Sequence, residues 1–372
     1  MPRLKLTPED RTVITSRLSS LDGYADIFLR ALTPLAQHAS NRAYFRLHLE
    51  WPHGGGGPRQ IVVMKLGDNP LTADEHTTGP PPPALPFLIL ARDLFAAQLP
   101  VPQVLADWTD RGLLLLEDLG DLTLAGKLAA CPRQEWPATY RAALDLLVLF
   151  QASIDVLQAR RSLAVRRRFE RALLTWELQH FREWGIEALG LSLSPPAAKV
   201  LETTFVRLVD QIDAMPVGLT HRDFQSRNLM VRPDGLHLID FQDALLAPPA
   251  YDLVALLRDS YVVLTPTEVD AALDYYLTQR RESSNLPTLE DEELREAFAR
   301  LTVQRKLKDA GRFIFIDRRK GDPSFLKYVA SSLEYVLAAL DSLPEFAELR
   351  ALLEDLTPQI RASVGELERR RR

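Results

Sequence analysis

The stretch LTHRDFQSRNLMV, residues 219–231, is the part of the sequence that best indicates both the fold and the chemistry of the chain. It carries an aspartate, Asp223, and an asparagine, Asn228, on a short polar turn between two apolar runs. The turn RPDG then leads to a second apolar run, LHLID, which ends in Asp240. Because the two runs predict a hairpin, the start of the first strand lies beside the end of the second, and we expect the three side chains to converge there.

These side chains carry the oxygen atoms that a divalent cation and a reacting hydroxyl group require. Carboxylate and amide oxygens suit Mg²⁺, a hard cation that keeps water molecules and substrate phosphates in its shell. A remaining aspartate can accept a proton from a hydroxyl group. The spacing H-x-D-x-x-x-x-N, followed by an apolar residue, Ile and Asp, recurs in kinases and there serves phosphoryl transfer. A solvated turn with capping residues is the alternative.

Length, charge and cysteine content limit the class of protein. A chain of 372 residues exceeds the usual size of one domain, so two lobes or domains are expected. The net charge of −5 gives no electrostatic reason to expect nucleic acid as a partner. The single cysteine, Cys131, excludes a disulfide framework or a cysteine-rich zinc site within one chain. The charged N-terminal segment and the lack of an unbroken apolar run of about 18 residues predict a soluble cytoplasmic protein with no membrane partner.

The pattern of elements changes near residues 117–121, EDLGD. Before this point the sequence predicts a helix that begins after Thr7, the strands YFRLHLEW and QIVVMKL, a proline-rich loop, the helix PFLILARDLFAAQL and a strand–turn–strand unit. After it, helical periodicity dominates, so we expect an α+β protein with a small antiparallel sheet followed by a larger, mainly helical part. The predicted helices of that part are residues 134–158, 165–188, 195–214, 266–283, 290–315 and 323–355.

Three stretches, HRDFQSRNLMV, LIDFQDA and PAYDLVALLRD, resemble the aminoglycoside phosphotransferase family, a branch of the protein-kinase-like fold that also contains choline and homoserine kinases. Within it, SNRAYFRL, LLLEDLGD and VQRKLKDAGRF are most similar to the anomeric sugar kinases of cell-wall recycling, which phosphorylate N-acetylmuramate and N-acetylglucosamine at C1. The resemblance spans nearly the whole chain. It implies a bilobal fold with a nucleotide-binding lobe, residues 1–119, a catalytic and acceptor-binding lobe, residues 120–372, and ATP between them.

The resemblance also implies roles for the residues of the central motif. Asp223 would be the catalytic base or the group that orients the acceptor hydroxyl. Arg227 would neutralise the transferring phosphate, although an exposed arginine is the alternative. The residues that would hold Mg²⁺ are Asn228 and Asp240, and those that would support the catalytic loop are His221 and Asp252, for which ordinary polar packing is the alternative.

On the nucleotide side, the resemblance implies that Ser40, Asn41 and Arg42 lie over the phosphates, although a plain hairpin turn would explain the same stretch. Backbone groups from Glu117 to Leu119 would read the adenine edge at the hinge between the lobes, where an edge strand with a turn predicts the same local shape.

Lys65 stands where kinase-like proteins place the lysine that pairs with the α- and β-phosphates. A lysine that ends an apolar strand can also keep its charge in water while its stem packs. The following helix offers no glutamate to pair with it, and Glu75 and Asp93 are the substitutes nearby in the sequence. The lysine–carboxylate pair of protein kinases is therefore the feature from which this chain departs.

The acceptor site is expected at Trp176 and Glu177, where an aromatic ring could stack on a sugar and a carboxylate could bind its hydroxyl groups. Arg305 and Lys308 are neighbours on a predicted helix and could meet a carboxylate or a phosphate. The alternatives are an aromatic core stripe for the first pair and a solvated basic face for the second.

The sequence thus predicts an ATP- and Mg²⁺-dependent phosphotransferase that acts on the anomeric hydroxyl of an amino sugar. Two alternatives stay open. One is a kinase of another small alcohol, of the aminoglycoside, choline or homoserine type, and the cations Arg305 and Lys308 favour a neutral or anionic acceptor over these. The other is a nucleotide-binding scaffold without turnover, which the missing helix glutamate favours and the intact central motif opposes.

Overall fold

A computed structural model describes residues 4–21, 24, 27–35, 42–51, 57–67 and 84–371. The predicted phosphate-loop residues Ser40 and Asn41, the carboxylate Glu75 and most of the predicted proline-rich loop lie outside these ranges.

The strands and helices follow the expected order, a sheet first and helices after it. The strands are β1 Phe28–Pro34, β2 Arg42–Glu50, β3 Gln60–Leu66, β4 Val104–Trp108, β5 Leu113–Glu117, β6 Gly218–Thr220, β7 Leu229–Arg232, β8 Gly235–Leu238 and β9 Leu245–Ala247. The helices are α1 Pro8–Leu18, α2 Pro86–Ala96, α3 Leu124–Ala130, α4 Trp136–Ala152, α5 Ile154–Ala159, α6 Leu163–Arg166, α7 Arg171–His180, α8 Pro195–Asp213, α9 Ala250–Leu257, α10 Pro266–Glu282, α11 Asp291–Phe315, α12 Val329–Leu340 and α13 Ala347–Arg371.

The first five strands form one antiparallel sheet in the order β1-β2-β3-β5-β4. Successive side chains of a strand point to opposite faces, so the two faces can be assigned from β3. Val62, Met64 and Leu66 point to the inner face, which packs on α2 and on the helical part of the chain. Ile61 and Val63 point to the outer face, which is covered by α1.

Helix α1 begins where the sequence predicts. Thr7 caps it, and the side chain of Asp10 accepts a hydrogen bond from the Thr7 backbone in return, which completes a capping box. Ile14 and Leu18 are buried against the outer face of the sheet. Helix α1 is therefore an integral cover of the sheet, and it brings the carboxylate of Asp10 against that face.

Helix α11 runs through the middle of the helical part and contacts α7, α9 and α12. At Gly311 it approaches the end of α7 so closely that an added Cβ would lie 2.8 Å from the Cα of Phe181 and 2.9 Å from the carbonyl oxygen of His180. Only a glycine fits this contact. The approach holds the preceding turns of α11, which carry Arg305 and Lys308, against the segment between β6 and β7.

Strands β7 and β8 form the predicted hairpin, with Leu229 opposite Leu238 and Arg232 opposite Gly235. Beyond the last pair, the Ile239 N–H donates to the Asn228 carbonyl at 3.1 Å. The mouth of the hairpin therefore places Asn228 directly beside the residue that precedes Asp240.

The structure differs from the predicted elements at several places. Residues 165–188 are not one helix, because Arg167 and Phe169 instead exchange backbone hydrogen bonds with Leu246 of β9. The predicted helix 323–355 is interrupted between α12 and α13, where a turn precedes Pro344. The predicted helix 134–158 is divided at Ser153 into α4 and α5.

In the described part of the chain, one helical segment, Arg133–Ala159, has the length and apolarity of a membrane span. Half of its most apolar window is buried inside the protein. A core helix of a globular fold satisfies the same criteria, and the buried residues Leu144, Leu147 and Phe150 belong to the main hydrophobic core.

Candidate active site

The hairpin mouth brings together the three polar residues of the central motif. The Asn228 side-chain amide donates to the Asp223 carbonyl at 2.9 Å, so its amide oxygen is the group it can offer to a cation. Asp240 lies close enough to Asp223 for the charge of one to raise the pKa of the other. The spatial convergence expected from the sequence is therefore present.

The loop that carries Asp223 is held in a strained backbone conformation. Arg222, which precedes it, has φ of 73°, and Asp240 has φ of 63°, both in the left-handed region that side chains disfavour. The carboxylate of Asp252 accepts the backbone N–H groups of His221 at 2.7 Å and of Arg222 at 3.0 Å. Asp252 and His221, which are fully buried, thus contact the catalytic loop where the sequence places loop supports.

Arg305 fixes Asp223 from the other side. Its guanidinium donates to the Arg222 carbonyl at 2.7 Å and to the Asp223 carboxylate at 3.0 Å. Burial alone would raise the pKa of Asp223, but the positive charges of Arg305, Lys308 and Arg222 outweigh burial and hold that pKa well below its usual range. Asp223 is therefore ionised at neutral pH, and Arg305 positions it and does not face an acceptor.

Glu177 is not at the acceptor site, contrary to the prediction. Its side chain is fully buried and accepts hydrogen bonds from Arg222 at 3.2 Å and from Gln304 at 2.6 Å. A carboxylate with no exposed surface cannot meet a sugar hydroxyl group. It instead compensates the buried charge of Arg222 and so supports the strained loop.

Asp240 has the environment of a cation ligand. Desolvation by the surrounding protein, and next the negative charge of Asp223, raise the pKa of Asp240 to about 6. One carboxylate oxygen accepts a hydrogen bond from Gln242 at 2.8 Å. Two neighbouring carboxylates that repel each other, with an amide oxygen beside them, are a donor set that a divalent cation would stabilise. The residues present therefore fit Mg²⁺.

The predicted nucleotide residues lie on both faces of the sheet. Arg42 is on the inner face, with its guanidinium 5.8 Å from the ring centre of Phe87 in α2. Lys65 is on the outer face, where its ammonium pairs with Asp10 of α1 at 2.8 Å. The expected substitute Asp93 is not its partner, because Asp93 pairs with Arg160 at 3.0 Å.

The residues predicted to form the hinge, Glu117 to Leu119, lie at the end of β5 and in the turn that follows it. Glu117 donates its N–H to the Gln103 carbonyl at 2.9 Å, and Gly120 has φ of 83°, which suits the turn after the strand. Leu119 is buried. Arg46 of β2 reaches this turn and pairs with Asp118 and Asp121 in a network of four hydrogen bonds.

A cavity of about 220 Å³ opens onto Asp223. Trp176 lines it and stacks on His180, with ring centres 5.2 Å apart and planes 24° apart. Burial would lower the pKa of Lys308, but nearby acidic groups, Glu177 among them, hold it above the ordinary value, so the ammonium is charged. The residues lining the cavity are Trp176, His180, Asp223, Gln225, Ser260, Tyr261, Lys308, Asp309, Arg312, Phe313, Ile316 and Phe325.

Arg227 lies at the edge of this cavity and does not line it. Its guanidinium stacks over the ring of Tyr261, 3.6 Å from the ring centre, and Tyr261 forms part of the wall. Arg227 can therefore order the wall through Tyr261, whereas its predicted role toward the transferring phosphate stays a prediction.

Residues 31–290, most of the chain, match the profile described as the phosphotransferase enzyme family. The chain belongs to this family. The expected resemblance is thereby confirmed, and the protein is a small-molecule kinase.

Named relatives cover almost the full length of this phosphotransferase. A protein of Pseudomonas aeruginosa named N-acetylmuramate/N-acetylglucosamine kinase is 33% identical over 339 residues, which are 90% of this chain and 91% of that protein. A protein of the same name from Pseudomonas putida is 30% identical over 347 residues, 92% of this chain and 93% of that protein.

Among solved structures, the aminoglycoside phosphotransferase APH(2'')-Ib in its ADP-bound form is similar to this phosphotransferase with a TM-score of 0.55. The two chains share 16% sequence identity, and the match covers 89% of this chain and 98% of the other. Similarity at this level concerns the fold alone, and it confirms the expected protein-kinase-like α+β architecture.

Several residues that shape the site of the phosphotransferase were missed in the sequence. Asp259 accepts hydrogen bonds from the backbone and hydroxyl of Ser226, and Lys306, which is buried, pairs with Asp309 at 2.9 Å. The only indication of these residues in the sequence is that they are polar within apolar segments, as are the charged residues of the periodic stretch VQRKLKDAG. Asp10 gave no signal beyond its capping box, because its partner lies 55 residues away.

Proposed function

We propose that the protein transfers the γ-phosphate of ATP to the anomeric hydroxyl group of N-acetylmuramate and N-acetylglucosamine. The observation that carries the proposal is the cavity lined by Trp176 and Lys308, which opens onto the ionised carboxylate of Asp223. The two Pseudomonas relatives support the choice of acceptor, because their names state these sugars. The reaction would take place in the cytoplasm, where ATP is available.

Asp223 would receive the hydrogen bond of the acceptor hydroxyl group and aim its oxygen at the phosphate. A carboxylate whose pKa lies below its usual range is a weak base, so orientation and charge would contribute more than full proton removal. An anomeric hydroxyl group is more acidic than the other sugar hydroxyls and needs the least help from a base. The depressed pKa of Asp223 therefore suits transfer to C1.

Asn228 and Asp240 would hold Mg²⁺ through the amide and carboxylate oxygens. The bound cation would neutralise charge on the ATP phosphates during transfer. Without the cation, the raised pKa of Asp240 reflects desolvation and the repulsion from Asp223 that the cation would relieve. Backbone groups from Glu117 to Leu119 would bind the adenine edge.

The cavity favours a neutral or anionic acceptor. Trp176 can cover one face of a sugar ring, and Lys308 can pair with a carboxylate such as that of the muramate lactyl group. Helix α11 contributes a second cation to the lining, Arg312, and one carboxylate, Asp309. A cationic acceptor of the aminoglycoside or choline type would be repelled by Lys308 and Arg312.

A screen with chemical identification of the product tests the proposal. Purified protein is incubated with MgATP and, in turn, with N-acetylmuramate, N-acetylglucosamine, glucose, choline or kanamycin, and ADP release is followed. We expect ADP release with the two N-acetyl sugars and little with the others. A phosphate on C1 blocks the free aldehyde, so the product should lose its reducing power, whereas a phosphate on C6 would leave it.

Two outcomes contradict different parts of the proposal. A product that still reduces would remove the assignment to the anomeric carbon and leave the sugar. If both N-acetyl sugars are inert while choline or kanamycin is phosphorylated, the acceptor assignment is wrong and the general kinase activity stands.

A further inference from the structure

The two cations predicted to meet the nucleotide phosphates cannot both do so, because they lie on opposite faces of the sheet. Cross-strand partners in an antiparallel sheet point to the same face. Arg42 pairs with Leu66 and Tyr44 pairs with Met64, both of which belong to the inner face. Lys65 pairs with Leu113, which belongs to the outer face.

Lys65 is engaged in the cover of the outer face. Its ammonium donates to the Oδ1 of Asp10 at 2.8 Å, and the Oδ2 of Asp10 accepts the Thr7 N–H at 2.9 Å. Both partners are largely buried, with side-chain exposures of 19% for Lys65 and 10% for Asp10. Burial would raise the pKa of Asp10, but the hydrogen bond from Lys65 and the cap bonds lower it, so the carboxylate is ionised. Lys65 thus fastens α1 to β3.

Arg42 is directed toward the mouth of the catalytic hairpin. Its guanidinium packs over Phe87, and Phe87 stacks on Phe241 with ring centres 5.1 Å apart. Phe241 follows Asp240 in the chain, so these ring contacts place Arg42 near the mouth of the hairpin. The Tyr44 hydroxyl accepts a hydrogen bond from Arg42 and steadies it.

Arg46, the next arginine on the same face of β2, lies at the other end of the inner face. It is committed to Asp118 and Asp121 beside the hinge. Along β2, therefore, Arg46 stands at the hinge end of the inner face and Arg42 stands at the end near Asp240. Phosphates held by a cation at Asp240 would lie beside Arg42.

We propose that Arg42, and not Lys65, is the cation of the small lobe that binds the ATP phosphates, and that Lys65 has a purely structural role with Asp10. The inference rests on the proposed use of ATP. It replaces the β3 lysine of protein kinases with an arginine on the neighbouring strand, which explains why α2 needs no glutamate to hold the lysine. An arginine also offers a planar pair of donors that suits phosphate oxygens.

Binding measurements on four proteins test the inference without relying on turnover. Calorimetry gives the affinity of the wild type, Arg42→Met, Arg42→Lys and Lys65→Met for MgATP and for adenosine, and thermal unfolding gives the stability of each. We expect Arg42→Met to weaken MgATP binding about 10- to 100-fold, as for loss of a charged hydrogen bond, with adenosine affinity unchanged. Arg42→Lys should recover part of the affinity because it keeps the charge.

The lysine variant should show the reverse pattern. Lys65→Met leaves the buried Asp10 without its cation, so we expect a lower unfolding temperature and an unchanged affinity for MgATP. Asp10→Asn should behave in the same way and serves as the second variant if Lys65→Met is poorly stable. Lys65→Met with weakened MgATP binding and Arg42→Met with normal binding would overturn the inference while the proposed function stands. Absence of MgATP binding by the wild type would overturn both.

Discussion

At the scale of single residues, the centre of the site is a carboxylate surrounded by cations. Asp223 contacts Arg305 directly, and Arg222 and Lys308 are near enough to act on its charge. Such a group is always ionised at neutral pH, so its contribution to transfer would lie in the fixed position of a negative oxygen. A neutral side chain of the same shape isolates that contribution.

Asp223→Asn should therefore slow transfer and leave ATP binding intact. We expect kcat to fall about 10²- to 10⁴-fold, as is typical for loss of a group that accepts the proton of the reacting hydroxyl. The measurement is ADP release with N-acetylglucosamine, together with the affinity for MgATP by calorimetry. Asp355→Asn, at an exposed position of α13, is the matched control and should be indistinguishable from the wild type. Near-normal turnover of Asp223→Asn would remove this residue from the mechanism.

The sequence predicted the positions of those residues whose partners are close to them in the chain. Asp223, Asn228 and Asp240 lie on one hairpin, whose pairing follows from apolar runs and a turn, so their convergence was predictable. The partners of Glu177 and Lys65 could not be predicted from the sequence, because they are distant in the chain. Glu177 binds Arg222, 45 residues away, and Lys65 binds a carboxylate in the first helix.

At the scale of elements, helix α11 organises the site. It carries Arg305, which holds the catalytic loop, and one helical turn later Lys308, which lines the cavity. Its position depends on the contact of Gly311 with the backbone of Phe181, where no side chain can move aside. The packing of α7 against α11 is thus set by the size of one residue.

Gly311→Ala should push these two helices apart. Alanine favours a helix over glycine by about 1 kcal/mol, but overpacking of a core typically costs about 1–3 kcal/mol, and here the clash is with backbone. We expect a net loss of stability of about 1 kcal/mol and a lower kcat, because Arg305 moves with α11. Denaturant unfolding and initial rates measure the two effects.

Gly365→Ala is the matched control for this substitution. Gly365 lies inside α13, where an added Cβ would meet only the end of Arg369 at 3.8 Å. Alanine there should be neutral or slightly stabilising. Equal effects of the two substitutions would show that the contact of Gly311 with α7 has no special role.

The sequence predicted well those helices whose periodicity is not interrupted by tertiary pairing. The periodic stretches 195–214, 266–283 and 290–315 match α8, α10 and α11 to within one residue at each end. The prediction was wrong where tertiary pairing overrides periodicity, as at Arg167 and Phe169, which join β9. Strand β1 was missed because most of its residues are exposed and show little alternation.

At the scale of the whole molecule, one hydrophobic core joins the sheet to the helices. It contains Met64 of β3, Leu90 of α2, Phe150 of α4 and Leu307 of α11, all fully buried. The predicted division into residues 1–119 and 120–372 therefore describes where a nucleotide would lie, and the division itself stays a prediction. A shared core couples the two parts in unfolding.

The coupling predicts a single unfolding transition that shifts as a whole when nucleotide binds. Ligand at 100 times its Kd stabilises the native state by about 2.7 kcal/mol, so MgATP should move the entire transition to higher temperature. Asp240→Ala should lose this shift while the transition without ligand stays single, because the variant lacks a main oxygen ligand of the cation. Differential scanning calorimetry with MgATP, and with ATP and a chelator, measures both. Two separate transitions, of which only one responds to MgATP, would mean that the sheet and the helical part unfold independently. An undiminished shift in Asp240→Ala would remove Asp240 from the metal site.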